Sequence, residues 1–251
     1  MDIKSLAHQL KQVVIEHDAM NLLETTFGDG LKRAPFGRDK LQWFLACHVA
    51  SVRAVPTSIL ALAMRISNEL LQHDYFNAHA VAARTLFAAA HEYGLANTEL
   101  GITPTHFQLY RDGLRSWGFD ENDIIHDPRI FPECAEITAY IDDVAMRRPI
   151  AQSLACHFAL EEVADREFVL LWEGFSRHWR AYGLTGVDDP ALSFYQIHTI
   201  QEPLHGAHGL EALTMYLEHV PTDESVLVQG VVEWMAIYHK WLKAFEGAFF
   251  S

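Results

Sequence analysis

Three side chains able to bind a metal ion recur at helical spacing in the C-terminal part of this 251-residue chain. His198, Glu202 and His205 form an H-x3-E-x2-H run. At about 100° per residue on an α-helix, the three side chains share one face. Two imidazoles and one carboxylate on a stripe of this length are suitable ligands for a transition metal. The run alone leaves one alternative, a polar helix face in a chain with 15 histidines.

A second pair of candidate ligands lies near the middle of the chain. A site for two iron ions needs about six ligands, mostly carboxylates and imidazoles from several helices. Glu99 and His106 are seven residues apart, which places them on one face two helical turns apart. Gly101 and Pro104 lie between them, so the helix must bend or restart there. The alternative is that Glu99 is a surface residue and His106 a first-turn residue.

A lone carboxylate is a further candidate. Glu161 follows Leu154 and Phe158 on an otherwise apolar stretch, whereas Glu162 is rotated by about 100° and faces elsewhere. A carboxylate at a core position is costly unless it is paired or bound to metal. We therefore predict that Glu161, and not Glu162, is the metal-binding carboxylate. The alternative is that both are solvated, and His157, four residues earlier, is either a hydrogen-bonding neighbour of Glu161 or a core histidine.

The elements that must position these residues are predicted to be helical almost throughout. Apolar residues at helical spacing, caps and prolines predict helices that begin near Leu6, Arg38, Thr57, Ala78, Thr103, Glu133, Arg148, Asp189 and Pro221. No run of alternating strand residues, internal repeat or low-complexity linker is present. The expected architecture is therefore one all-α bundle of seven or eight helices that forms a single domain over residues 1–251.

Composition excludes several functional classes. Half of the residues are hydrophobic and 21% are charged, as in ordinary folded domains. The formal net charge of -14, without a basic cluster, argues against nucleic acid and against an anionic membrane surface as partners. The three cysteines lack paired spacing, the N-terminus is polar, and no apolar run approaches the ~20 residues of a membrane span. We therefore expect a cytoplasmic protein with no membrane association.

The order and spacing of the candidate ligands resemble those of the heme-oxygenase-like diiron oxidases and oxygenases. That family shares a seven-helix fold with heme oxygenase, thiaminase II and the pyrroloquinoline-quinone synthase. Its ligands come as Glu and His seven apart, then an isolated Glu, then His-x3-Asp/Glu-x2-His. The matching residues of this chain are Glu99, His106, Glu161, His198, Glu202 and His205. The chain departs from the pattern where Glu202 replaces the usual Asp, and where Pro203 favours a kink inside the motif.

The resemblance implies an enzyme that uses two iron ions, Fe(II)/Fe(III), and O2 as co-substrate. It implies an external electron donor and a small amino-acid-like, carboxylate- or amine-bearing substrate in a biosynthetic pathway. Outcomes known in the family are N-oxygenation, desaturation and C–C fragmentation. The resemblance also suggests cationic anchors for an anionic end of the substrate, for which the candidates are Arg53, Arg65 and Arg84. Each arginine is alternatively a salt-bridged structural residue.

Other classes stay open at this point. The same fold serves a metal-free oxidase like the pyrroloquinoline-quinone synthase and a hydrolase like thiaminase II, which needs a nucleophilic Cys beside a Glu. Cys134 and Cys156 have no activating partner at a helical offset. A non-catalytic binding protein is the third class, which six metal-capable residues in order disfavour. Aromatic residues of the C-terminal helix could serve a homodimer as well as a core: Trp234, Tyr238, Trp241, Phe245 and Phe249.

Overall fold

α-Helices form almost all of the computed structural model, which describes residues 3–74, 77–95 and 104–250. No strand occurs in these ranges, so the predicted all-α fold is confirmed. The first six helices are α1 (Ile3–Ile15), α2 (Asp18–Leu23), α3 (Leu31–Arg33), α4 (Arg38–Val52), α5 (Val55–Leu70) and α6 (Ala78–Glu92). The next six are α7 (His106–Ser116), α8 (Glu121–Ile125), α9 (Pro132–Arg147), α10 (Ile150–Arg177), α11 (Pro190–His219) and α12 (Glu224–Phe245). Two π-helical stretches, Glu24–Gly30 and Glu246–Phe250, complete the described elements.

Local sequence signals explain where the longest helices begin. The side chain of Asp189 accepts a hydrogen bond from the backbone N–H of Ala191, and Pro190 occupies the first helical turn of α11. The same carboxylate accepts a hydrogen bond from Ser116, which ties the start of α11 to the end of α7. Asp223 caps α12 in the same way, through the backbone N–H of Ser225.

Helices α10 and α11, of 28 and 30 residues, form the centre of the bundle. They pack against each other, and α12 packs against α10 on another side. Gly230 of α12 allows this second approach, because a Cβ atom there would lie 2.7 Å from the carbonyl oxygen of Gln152. The α10–α11 pair therefore presents its buried faces to the interior that holds the candidate ligands.

An aromatic core occupies one end of the bundle. Phe27 makes edge contacts with Phe44, Trp241 and Phe245, with ring centroids 5.6–5.9 Å apart. The C-terminal aromatic residues that the sequence offers to either a core or a dimer are all at most 3% exposed. These side chains belong to the core of the protomer and are too buried to form a dimer interface. A homodimer stays a prediction.

One apolar stretch, residues 38–70, is long and apolar enough to cross a membrane by length and composition alone. It consists of α4 and α5, which are joined by a turn at Arg53 and Ala54. In the structure 56% of its most apolar window is buried inside the bundle. Burial of this kind is the pattern of a core helix pair.

Candidate metal centre

Six buried side chains of ligand type form two groups of three inside the bundle. The histidine-rich group consists of Glu92, His106 and His198, and the carboxylate-rich group consists of Glu161, Glu202 and His205. Within each group, one ligand atom from each residue lies within 4.8 Å of the others. All six side chains are at most 8% exposed. These short separations suit side chains that share one ion at bond lengths of about 2 Å.

The histidine-rich group is assembled from three helices. Glu92 is the last residue of α6, His106 is the first residue of α7, and His198 lies inside α11. Oε1 of Glu92 lies 3.0 Å from Nδ1 of His106 and 3.7 Å from Nε2 of His198. A capping box fixes the start of α7, because the side chains of Thr105 and Gln108 each accept a hydrogen bond from the backbone N–H of the other.

The orientation of His198 is set by its neighbours. Its Nδ1 lies 2.6 Å from the carbonyl oxygen of Phe194. A carbonyl oxygen only accepts, so this nitrogen carries the proton and Nε2 presents its lone pair to the group. The ring of Phe168 stacks on the imidazole with centroids 3.9 Å apart. His198 is therefore held as a metal ligand would be.

The carboxylate-rich group comes from the two central helices, Glu161 from α10 and Glu202 and His205 from α11. Nδ1 of His205 lies 3.3 Å from Oε2 of Glu202 and 3.5 Å from Oε2 of Glu161. The other ring nitrogen, Nε2, lies 2.8 Å from Nδ1 of His91. On the far side of Glu161, Oε1 is 3.3 Å from Nδ1 of His157. Two additional histidines thus contact the ligands from behind.

Glu202 contacts both groups. Its Oε1 lies 3.8 Å from Nε2 of His198, and its Oε2 faces His205. A carboxylate with one oxygen toward each group is suited to bridge two metal ions. The neighbouring Pro203 is exposed, and α11 runs without interruption from Pro190 to His219, so the kink expected at Pro203 stays a prediction.

Electrostatics of the carboxylate-rich group show how strongly its members interact. Burial raises the pKa of Glu161, but His157 and His205 outweigh burial and lower it to about 2. Burial and the charge of Glu161 raise the pKa of Glu202 well above its ordinary value. Burial lowers the pKa of His205, yet the two carboxylates outweigh it and raise the value to about 11. Without metal, protons on Glu202 and His205 balance the charge, and a divalent cation would displace them.

Two members of the histidine-rich group, Glu92 and His198, are already in the protonation state that a metal requires. Burial, and then the electrostatic interaction with His106, lower the pKa of His198 to about 4, so its imidazole is neutral at pH 7. Burial raises the pKa of Glu92, but His106 and His198 outweigh it and hold this carboxylate ionised. Nε2 of His106 is buried without a hydrogen bond among the described residues. Two imidazoles and one carboxylate are the set that non-heme Fe(II) oxygenases use, so the residues present fit iron.

Five of the six ligands predicted from the sequence lie in these two groups, and the sixth, Glu99, lies outside the described residues. The structure adds Glu92, which the sequence reasoning missed. The sequence feature that could have indicated Glu92 is the one that indicated Glu161. A carboxylate follows an apolar helical stretch, here AAA and then His91. Glu161 faces the centre as expected, whereas Glu162 forms an ion pair with Lys11 at 2.8 Å.

The three arginines predicted as substrate anchors make other contacts. Arg53 is exposed in the turn after α4. Arg65 donates hydrogen bonds to the carbonyl oxygens of Ala145 and Arg148. Arg84 pairs with Glu211 at 2.9 Å. None of the three is among the described residues that line the cavity beside the metal centre, and their role in substrate binding stays a prediction.

A cavity adjoins both ligand groups. It comprises about 730 Å³ of space free of protein atoms, which includes open solvent at its mouth. Four of the ligands, Glu92, Glu161, His198 and Glu202, line it. Most other lining residues are apolar or aromatic, including Val52, Val55, Ile137, Ile141, Leu160 and Trp234. The cavity can therefore hold an apolar molecule against the metal centre.

The chain belongs to a family of iron-containing redox enzymes, whose model matches residues 42–239. The resemblance predicted from the ligand spacing is thereby confirmed. A solved structure of a TenA homolog from Pseudomonas syringae pv. tomato str. DC3000 is similar, with a TM-score of 0.68. The match covers 98% of this chain and 91% of that chain at 14% sequence identity, and it shows a shared fold alone. No curated protein matches the chain by sequence.

Proposed function

We propose that this iron-containing redox enzyme is an O2-dependent diiron oxidase or oxygenase of a small organic molecule. One observation carries the proposal: two buried ligand groups lie side by side, share Glu202 and line one largely apolar cavity. A mononuclear centre would need only one such group. Two groups with a common carboxylate are the arrangement expected for a pair of iron ions in a helical bundle.

Each residue of the centre has a defined part in this proposal. Glu92, His106 and His198 would hold one iron ion, Glu161 and His205 the other, and Glu202 would bind both. Bound Fe(II) supplies the electrons that O2 needs to react with an organic substrate. The carboxylates neutralise most of the metal charge, and the contacts of His91 with His205 and of His157 with Glu161 keep the ligands oriented.

The cavity determines what reacts. Its largely apolar walls hold the substrate against the centre, and a bound substrate would exclude water from it. We expect N-oxygenation, desaturation or C–C fragmentation of an amino-acid-like, amine- or carboxylate-bearing molecule, in a cytoplasmic biosynthetic pathway. When one oxygen atom of O2 enters the product, the other leaves as water. That balance consumes two electrons and two protons, which an external donor must supply.

The positions of the cysteines give little support to a hydrolase activity of this fold. A hydrolase like thiaminase II needs a thiol that reaches the substrate. Cys47, Cys134 and Cys156 are all buried, and none lines the cavity beside the ligand groups. Burial raises the pKa of Cys156 to about 12, which suppresses its thiolate. A metal-free oxidase is the alternative that the following experiment separates.

Iron content and turnover test the proposal together. We expect anaerobic reconstitution with Fe(II) to give about two iron ions per chain, and substrate oxidation to require O2 and an electron donor and to stop with a chelator. His198→Ala and His205→Ala should each lower the iron content and abolish activity, while circular dichroism shows an intact helical bundle. Full-rate turnover by protein without metal, or full iron occupancy in both variants, would overturn the proposal.

A further inference from the structure

One buried carboxylate lines the cavity without belonging to either ligand group. Glu167 of α10 is 7% exposed, and its Oε2 accepts a hydrogen bond of 2.7 Å from the hydroxyl of Tyr238. Its Oε1 lies 3.6 Å from Nε2 of His48, which is longer than a hydrogen bond. A buried carboxylate with one oxygen left over has a strong demand for another hydrogen-bond donor.

His48 adds a second unsatisfied polar group at the same place. Its side chain is fully buried, and neither ring nitrogen makes a hydrogen bond in the described part of the chain. Aromatic rings surround it, among them Phe168 and Tyr195, with centroids 6.1 Å and 5.8 Å away. An imidazole in such surroundings needs a polar partner. Of this pair, Glu167 is the acceptor that lines the cavity, and His48 is a polar neighbour of its Oε1 that is not among the described lining residues.

The distance of this pair from the metal centre sets the length of the ligand. Glu167 follows Glu161 by six residues on α10, a rise of about 9 Å along the helix axis. Both side chains line the same cavity. A molecule with a polar end at Glu167 can thus extend its carbon chain past Val163, Ala164 and Phe168 toward the ligand groups.

The residues that line the cavity indicate the charge of the ligand that it favours. The other charged or ionisable side chains there are Glu92, Glu161, Glu202 and His198, which all belong to the ligand groups. If those four residues bind iron, Glu167 is the remaining carboxylate among the lining residues. No Lys or Arg is among the described lining residues. The aromatic residues Trp234, Tyr238 and Trp241 also line this cavity, and an aromatic ring attracts a cation that lies over its face.

We propose that Glu167, held in place by Tyr238, binds the protonated amino group of an apolar primary amine whose carbon chain extends toward the metal centre. This inference rests on the proposed function, which makes the bound molecule a substrate. Among the substrates expected there, it favours those with an amino group over those with a carboxylate. The hydroxyl of Tyr238 keeps one oxygen of Glu167 in place, so Oε1 faces the ammonium group. Glu167 is thus a specificity-determining residue rather than a metal ligand.

Binding of three probes of equal chain length tests the inference. n-Octylamine, octanoate and octanol are titrated into Fe(II)-loaded protein under anaerobic conditions, and into metal-free protein, with calorimetry as the readout. We expect octylamine to bind at least about 10-fold more tightly than octanoate. Glu167→Gln should weaken octylamine binding by about 10- to 100-fold, the range for a hydrogen bond to a charged group, and leave octanol binding unchanged.

A matched control lies on the same helix. Glu162→Gln makes the same chemical change at a residue that pairs with Lys11 and does not line the cavity, so it should leave all three affinities unchanged. Equal binding of octanoate and octylamine by the wild type, or equal octylamine binding by wild type and Glu167→Gln, overturns the inference. If Glu167→Gln fails to fold, the comparison of the three probes on the wild type decides the matter.

Iron content measured on the same samples separates this inference from the proposed function. Two iron ions without a preference for octylamine would overturn the amine site and leave the diiron proposal standing. A preference for octylamine that Glu167→Gln abolishes, in protein that takes up no iron, would overturn the diiron proposal and support the amine site.

Discussion

The two ligand groups differ in how the chain builds them. Two members of the histidine-rich group stand at helix ends, Glu92 at the end of α6 and His106 at the start of α7. All members of the carboxylate-rich group lie inside α10 and α11, the helices that also form the centre of the bundle. The second group is therefore fixed by the same packing that folds the protein. The first depends in addition on where α6 ends and α7 begins.

Their charges differ in a complementary way. In the histidine-rich group Glu92 is ionised and His198 is neutral, as a metal requires, whereas the carboxylate-rich group has two carboxylates and holds protons that a metal would displace. The histidine-rich group thus has members that are ready to bind a metal, but its position depends on helix ends. The carboxylate-rich group is fixed by the packing of two long helices, but it must release protons. Glu202 connects the two parts.

The largest effect is expected for the residue that the two groups share. Glu202→Ala removes an oxygen ligand from both groups, so we expect iron content to fall from about two ions per chain to nearly none, with complete loss of activity. Colorimetric iron determination after anaerobic reconstitution measures this, and Glu202→Gln serves as the variant of equal volume. Retention of one full equivalent of iron by Glu202→Ala would show that Glu202 belongs to one group alone.

Removing Glu92 should affect only the histidine-rich group. We expect Glu92→Ala to lose about one of the two iron ions, because Glu92 is the only carboxylate of that group. The matched variant Glu99→Ala tests the carboxylate that the sequence spacing favours and should retain both ions. The reverse result, with iron lost only from Glu99→Ala, would assign the ligand to Glu99 instead.

The adjacent carboxylates of α10 test the carboxylate-rich group. Glu161→Ala should lose about one iron ion and its activity, because Glu161 faces the centre. Glu162→Ala breaks a partly exposed ion pair with Lys11, so we expect full iron content and a change in unfolding free energy of at most about 1 kcal/mol. Metal titrations and denaturant unfolding of both variants measure these effects. Greater iron loss from Glu162→Ala would refute the assignment.

The smallest effect concerns the histidine behind the ligands. His91 contacts His205 of the carboxylate-rich group and packs against Phe87, so His91→Phe removes the contact and retains a ring. We expect metal affinity to fall by about 10- to 100-fold in that group, as for other residues that orient a ligand. Chelator competition should show one weakened and one unchanged iron ion. Equal weakening of both ions would contradict the separation of the groups.

Sequence reasoning succeeds where ligands lie within one helix. His198, Glu202 and His205 share α11, so their spacing predicts a common face that the structure shows, and Asp189 with Pro190 marks where that helix begins. The all-α fold follows from the same periodicity. These signals are local, and local signals are what a single sequence contains.

The same reasoning fails across a break between helices. Glu92 and His106 belong to different helices, and angular spacing has no meaning between them. Glu167 is about 120° away from Glu161 around α10, so no shared face indicates it, and its place in the cavity depends on Tyr238 of α12. Arg65 shows the same limit. Its guanidinium donates hydrogen bonds to carbonyl oxygens of another segment, which residue spacing within its own helix does not indicate.

Pro203 gives α11 a mechanical property that its unbroken course conceals. Proline has no N–H, so the carbonyl oxygen of Thr199 lacks its donor one turn later in the helix. This missing bond falls between His198, which belongs to one group, and His205, which belongs to the other. The helix therefore lacks one stabilising hydrogen bond at the point that sets the spacing of the two groups, and a bend there would change the separation of His198 from His205.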